Sequence, residues 1–366
     1  MQNCDYLIVG AGLTGITAAS IIAREKEKSV IVVEKRNHIG GNCYDEYDEN
    51  DILIHLYGPH IFHTHHKYIW DYLSQFTDWL TYVHFVKAWI KDKYVSFPIN
   101  IHTLEDLFDK PFTEKTMQTW LDHEKVSIPT INNAEDMVVS RMGWFIYETF
   151  FKNYTKKQWG IDAKQLTPEI TARIPIRINR QETYFTDPYE GIPVEGYTAM
   201  FNRMLDHERI TVITGTDYKE IVKDIDYRKM IFTGPVDSFF DYKFGPLPYR
   251  GLNFEFKTYD SEKVLPVAQV NYPNDHEYTR ATEFKHMTFQ KHPKTTIGYE
   301  TPADVDPKKN KPFHAYPILN EASKAIYEKY KHEAEREKNV IFIGRLAEFQ
   351  YMNMDACVKR VLDYFN

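Results

Sequence analysis

Apolar residues along the chain fall into short runs whose spacing changes from region to region. Residues 5–9 (Asp5-Tyr6-Leu7-Ile8-Val9) form an apolar strand, a glycine-rich turn follows at once, and residues 16–27 read as an Ala- and Ile-rich helix. Residues 29–33 are a second strand that ends in Glu34. Partial alternation over 83–90 and 94–97 predicts strands, and helical spacing then takes over at 103–108, 113–121, 134–142 and 143–154. Residues 180–320 are rich in Pro, Gly and Tyr, with alternating runs at 252–258, 267–272 and 282–289 that predict a largely antiparallel sheet. A helix at 199–207 and a strand at 210–214 return to the first domain. A helix at 321–337, a strand at 340–343 and a helix at 354–365 complete its sheet.

Composition narrows the class. The 366 residues are 43% hydrophobic and 27% charged, the profile of a folded globular chain rather than a disordered or fibrous one. At about 150 residues per domain this length predicts two or three domains. The longest apolar runs, such as Val30-Ile31-Val32-Val33, fall far short of the ~20 residues that span a bilayer. No basic segment precedes an apolar core near residue 1, so no signal peptide and no membrane attachment are expected. Cys4, Cys43 and Cys357 form no C-x-x-C pair, and an odd count argues against a disulfide framework. A cytoplasmic location is the simplest expectation. The net charge of -7 gives no support for nucleic-acid binding. An anionic substrate would need a local cluster of cations against this field. The 26 tyrosines suit a wet pocket, because each offers a stacking face and a hydroxyl.

The chemistry begins at the first turn. Gly10-Ala11-Gly12-Leu13-Thr14-Gly15 is G-x-G-x-x-G between a strand and a helix, and Glu34 lies 19 residues beyond Gly15 at the end of the second strand. Glycines permit a tight turn and close approach to a pyrophosphate, the helix N-terminus offers unpaired N–H groups, and the acid can accept from a ribose diol. The fingerprint alone does not choose between NAD and FAD. Two features favour FAD: a second glycine pair, Gly40-Gly41, six residues past the acid, and the late run Phe342-Ile343-Gly344-Arg345 ahead of a helix that begins near Met354.

Further residues resemble a known family. Gly58-Pro59-His60-Ile61-Phe62-His63-Thr64 is similar to a signature of UDP-galactopyranose mutases, as is Asn153-Tyr154-Thr155-Lys156-Lys157-Gln158-Trp159-Gly160. So are Thr233-Gly234-Pro235-Val236-Asp237, Phe244-Gly245 with Leu247-Pro248-Tyr249-Arg250, Tyr278-Thr279-Arg280, and Gly344-Arg345-Leu346 with Tyr351 and Asn353-Met354-Asp355. These blocks keep their order over essentially the whole chain.

The resemblance implies an α/β flavoenzyme of three parts. An FAD-binding Rossmann-like domain takes residues 1–79, 199–235 and 321–366, and a helical bundle takes 103–170, with a mobile loop near 159–175. An antiparallel sheet domain takes 80–102, 171–198 and 236–320. It implies interconversion of UDP-galactopyranose and UDP-galactofuranose, with FAD active when reduced, NAD(P)H or another reductant as electron source, and a homodimer. In the implied chemistry the reduced flavin N5 attacks the anomeric carbon, UDP leaves, and the ring opens through an iminium and recloses at the other size. The product would supply a cell-surface polysaccharide.

By the same resemblance, Gly10, Gly12, Thr14, Gly15, Glu34, Lys35, Gly41, Asn42, His60, Ile61, Arg345, Asn353 and Met354 hold the cofactor. Arg173 and Arg280 bind the diphosphate, with hydroxyls from Tyr184, Tyr316 and Tyr351. Phe151 and Tyr154 hold the uracil, Asn271 contacts the uridine, Trp159 stands at the junction of sugar and flavin, and His60 and His63 lie beside the flavin. The family usually has Asp where this chain has Asn353, which removes a charge near the flavin. The run His55, His60, His63, His65 and His66 is dense enough to ask about zinc, but a site would need a consistent fourth ligand, and no metal is expected. Two rival classes are a flavin oxidase or dehydrogenase on the same scaffold and a nucleotide-binding protein without catalysis. The first would consume its substrate by oxidation without prior reduction. The set Trp159, Arg173, Tyr184, Arg280 and Tyr351 argues against the second.

Overall fold

The apolar run at the N-terminus extends to strand Gln2–Val9 and lies at the centre of a five-stranded parallel sheet. This computed structural model describes residues 2–306 and 311–365. Contacts divide the chain into two units. The first holds the residues up to Tyr82, Asp187–Pro248 and those from Glu321 on, and the second holds Val83–Thr186 and Tyr249–Asn320.

In the first unit the strand order is Ile210–Ile213, Val30–Val33, Gln2–Val9, Ile225–Phe232 and Val340–Phe342. Parallel pairing sets Leu7 beside Ile31 and Ile8 beside Val32 and Ile231. The two faces are both apolar, as a parallel sheet covered on both sides requires. Ile8, Val30, Val32 and Ile231 pack under the helices Leu13–Arg24, Gly196–Leu205 and Met354–Phe365, whereas Leu7, Val9, Ile31, Val33, Met230 and Phe232 form a separate cluster. The first helix starts three residues before the expected position, because Gly12 is extended and the glycine turn runs straight into helix. A small antiparallel sheet joins Phe62–Thr64, Tyr189–Pro193 and Trp79–Thr81. Residues 80–82, 187–198 and 236–248, read from sequence as part of the sheet domain, thus lie in the first unit.

The second unit contains a seven-stranded sheet and a group of helices. From one edge the strands are His314–Pro317, Tyr249–Tyr259, Thr295–Asp304, Arg280–Glu283, Gln269–Asn271, Val86–Ile90 and Lys93–Phe97. All pairs are antiparallel except Gln269–Asn271 with Val86–Ile90. The strand expected over 282–289 stops at Glu283. Phe284 and Met287, three residues apart, both bury in a helical turn, and buried Lys285 donates to the Glu262, His292 and Lys294 carbonyls.

Gly143 breaks the helix inside Ala134–Ile146, ahead of the turn Tyr147–Phe151 that leads into Lys152–Trp159. Its φ of 78° is left-handed, and a Cβ there would lie 2.3 Å from the Glu124 carbonyl oxygen. Gly143→Ala is therefore expected to destabilise the protein by at least about 2 kcal/mol in urea unfolding. An unchanged midpoint would contradict this account.

Candidate active site

The first unit builds a dinucleotide cradle. Gly10 leaves the strand at φ 101°, and a Cβ on Gly15 would lie 2.0 Å from the Gly10 carbonyl oxygen, so the helix rests directly on the turn. Gly12 differs: a Cβ there would meet only the Gly41 Cα, at 3.8 Å. Gly12 is bridged to Gly40, and the Gly40 N–H donates to the Ala11 carbonyl at 2.7 Å. The helix Leu13–Arg24 has no side-chain cap and no acid in its first turn, which leaves its positive end for an anion. Buried Glu34 accepts from the Ala11 and Arg36 N–H groups, each at 2.8 Å, and keeps lone pairs for a ribose diol. An uncapped helix end, open room at Gly12 and a held carboxylate fit a dinucleotide.

The surrounding expected residues take varied places. Asn42 Oδ1 accepts from Arg36 at 2.9 Å, and the Arg36 guanidinium lies 4.4 Å over the Tyr57 ring. Lys35 is mostly exposed and pairs with Asp217 at 3.1 Å. Thr14 is buried against Gly344, where a Cβ would come within 2.8 Å of its hydroxyl. Arg345 donates to the Met352 carbonyl and lies 5.3 Å over Tyr351, which places Tyr351 in the first unit. The Asn353 carbonyl accepts the Cys357 N–H and so opens the last helix, at Met354, while the Asn353 side chain is exposed and caps nothing among the described residues.

The histidine run does not converge. His55 is fully buried and accepts the His60 N–H on Nδ1 at 3.0 Å; burial pushes its pKa down to about 3, so it is neutral. His60, which precedes buried Ile61, places Nδ1 on the Gly58 carbonyl at 2.8 Å. His63 and His65 share Asp187, at 3.0 and 3.3 Å. Asp187 lies 124 residues from His63 and carries no sequence signal of this role.

The second unit builds a polar row across its sheet. Pairing places Asn271 opposite Arg280 and Arg280 opposite Glu300. Directly opposed residues share a face, so these side chains project together. Arg280 donates to Glu300 Oε1 through Nε at 3.0 Å and Nη2 at 2.6 Å, and Nη2 also donates to the Tyr316 hydroxyl at 3.1 Å. Glu300 is fully buried, and its Oε2 meets no donor among the described residues. Arg280 Nη1 makes no hydrogen bond among the described residues. Tyr154 lies within electrostatic range of Arg280, Glu300, Tyr184 and Tyr316; burial pushes its hydroxyl well up, so it remains a donor. Trp159, the last residue of its helix, is buried with its ring 6.0 Å from Tyr316. Phe151 packs inside the helical core, 6.4 Å from Phe97. Tyr184 is held by its N–H on the His84 carbonyl at 2.7 Å. Arg173 stands exposed after the short helix Glu169–Ala172, with Nε on the Ile170 carbonyl at 3.2 Å. Sequence reasoning missed Glu300. A lone Glu on an otherwise apolar strand stretch, Ile297 to Tyr299, is the signal that it needs a buried cation.

The fold and the first unit's cradle define a dinucleotide-binding protein of the Rossmann type, with a sheet-and-helix unit inserted. Residues 149–351 match the family model for UDP-galactopyranose mutase, and residues 8–76 match an NAD(P)-binding Rossmann-like domain. A Klebsiella pneumoniae protein named "Probable UDP-galactopyranose mutase" is 35% identical over 99% of this chain and 94% of its own length. The dTDP-fucopyranose mutase of Escherichia coli is 34% identical over 98% and 96%. The crystal structure of a reduced UDP-galactopyranose mutase shares the fold, with TM-score 0.80 and 17% identity over 99% of this chain and 94% of that one. This chain belongs to the UDP-galactopyranose mutase family. FAD is its cofactor. Among the described residues, no helix is long and apolar enough to cross a membrane.

Proposed function

We propose that this chain interconverts UDP-galactopyranose and UDP-galactofuranose, with FAD required in the reduced state. The observation that carries the substrate side is the row Asn271, Arg280 and Glu300 with Tyr316, beside Tyr154. Reduced FAD, when bound, supplies a nucleophilic nitrogen for the anomeric carbon.

The chain's own residues do the rest. Loss of UDP develops negative charge on a diphosphate, and Arg280 meets it with a fixed guanidinium. Glu300 Oε1 takes Nε and Nη2, which leaves Nη1 to donate to phosphate oxygens and sets the plane of the fork. Tyr316, already an acceptor from Arg280, and Tyr154 present hydroxyl protons to the same anion. Trp159 and Phe151 shield this side from water. Glu34 and the turn at Gly12 hold the cofactor's ribose and pyrophosphate.

The test is isomer analysis by chromatography after mixing the protein with UDP-galactofuranose, with and without dithionite. The expected result is conversion to the pyranose in the reduced sample alone. Bound FAD with no conversion on reduction would overturn the proposal. The near-equal identity to a dTDP-fucopyranose mutase supports a second reading, in which the nucleotide is dTDP and the sugar lacks the 6-hydroxyl. Parallel assays on dTDP-fucofuranose decide between them by kcat/KM.

A further inference from the structure

Lys157 lies on the helix Lys152–Trp159 between Tyr154 and Trp159. Its ammonium donates into a cage of backbone carbonyls: Tyr272 at 2.5 Å, Asp275 and His276 at 3.2 Å, and Tyr278 at 3.3 Å. All four belong to the turn between strands Gln269–Asn271 and Arg280–Glu283. The first strand ends in Asn271, the second begins with Arg280, and the two residues are cross-strand partners. A second tie crosses the same seam. The Asn153 amide donates to Asn274 Oδ1, and the Asn274 amide donates to the Thr149 carbonyl, each at 3.0 Å. Buried Arg250 donates to the Lys157 and Gln158 carbonyls, each at 3.1 Å, and fixes the end of the helix.

We propose that Lys157 is a positioning residue for the nucleotide sugar: it sets the separation between the helix that carries Tyr154 and Trp159 and the hairpin that carries Asn271 and Arg280. This rests on the reading of that row as the UDP-sugar site. Folding stability does not account for the lysine. Among the described residues no carboxylate lies within ion-pair distance of it, and its partners are neutral carbonyls, so burial still disfavours the charged form. Burial pushes its pKa down to about 8, with Asp275 acting more weakly upward. The unfolded chain keeps the proton to about 10.4. Unfolding therefore takes up a proton between those values, so stability rises with pH there, and the cost of the buried charge is present in full below pH 8. What the cage achieves is geometric: one ammonium gathers carbonyls from across the whole turn, and a methionine of similar length gathers none.

The experiment uses the FAD-loaded protein, oxidised, with UDP titrated by calorimetry. Lys157→Met is expected to weaken UDP binding about tenfold, equivalent to ~1.4 kcal/mol, with the melting temperature unchanged or raised. Lys156→Met, on the exposed neighbour, is expected to bind UDP as the unmodified protein does. In the unmodified protein, UDP affinity is expected to fall as pH rises through about 8, and this step is absent in Lys157→Met. The titratable groups packed around Lys157 are Asp275, His276, Tyr272 and Tyr278 of the turn and Arg250 at the helix end; burial pushes the two phenols up, away from pH 8. UDP affinity within twofold of the unmodified protein would overturn the proposal. So would a loss of affinity accompanied by a lower melting temperature, since that marks a structural role. Failure of the unmodified protein to bind UDP would overturn the nucleotide reading itself.

Discussion

Arg280→Ala is expected to lower kcat by about a hundredfold to a thousandfold while FAD remains bound, because a single donor to a developing anion has that scale of effect. FAD retention is expected because the cradle at Gly10, Gly12 and Glu34 belongs to the first unit and Arg280 to the second. The loss has two parts. The diphosphate loses its guanidinium, and Glu300, fully buried and now unpaired, carries a charge where the next acceptor is wanted. Breaking a buried pair from one side costs about 3–5 kcal/mol, so the fold must be checked by thermal unfolding beside turnover. Arg280→Lys separates the two parts. Lysine keeps a cation beside Glu300 but not the fork, so it should recover stability while most of the kcat deficit persists. Turnover of Arg280→Ala within threefold of the unmodified protein would remove Arg280 from the diphosphate.

A second large effect is expected at Gly12. Its backbone is ordinary, with φ -80°, and an added Cβ would meet only the Gly41 Cα, at 3.8 Å. The protein therefore tolerates a side chain there, and the cofactor does not. Gly12→Val is expected to fold with cooperative unfolding yet to bind FAD at least about tenfold more weakly, a loss of ~1.4 kcal/mol or more in affinity. Gly15→Ala makes the contrast: its Cβ would lie 2.0 Å from the Gly10 carbonyl oxygen, so the helix must move and the fold itself suffers. Flavin absorbance per chain and a melting curve read both variants. A flavin-replete Gly12→Val would mean that the pyrophosphate does not pass this turn.

The cradle and the polar row differ in how far residue order alone reveals them. Gly10, Gly12, Gly15 and Glu34 sit within 25 residues, and their spacing states their geometry, because a strand, a turn and a helix are local objects. The strands at 5–9, 29–33 and 340–343 were likewise visible as apolar runs; in the structure Val30–Val33 is buried throughout, whereas Val340–Phe342 is a half-buried edge strand. Asp187, Glu300 and Lys157 were not visible as site residues. Each acts on a partner from another element: Asp187 on His63, Glu300 on Arg280, and Lys157 on the carbonyls of Tyr272 to Tyr278. Backbone carbonyls leave no mark in a residue pattern at all. Even 282–289 misled, since apolar residues over so short a stretch suit a strand or a helical turn equally.

By itself the sequence determined the parallel dinucleotide-binding unit, its glycine turn and acid, and, through motifs in order along the chain, the family to which it belongs. Only the tertiary structure decided that residues 187–198 and 236–248 join 199–235 in the first unit, that Asn271, Arg280 and Glu300 fall into one row, and that a single lysine ties the helix bearing Tyr154 to the hairpin bearing Arg280. The reason is physical. Period and spacing encode contacts within one turn or one strand, whereas register between strands is settled by long-range packing and by the polar partners that each strand meets from another element.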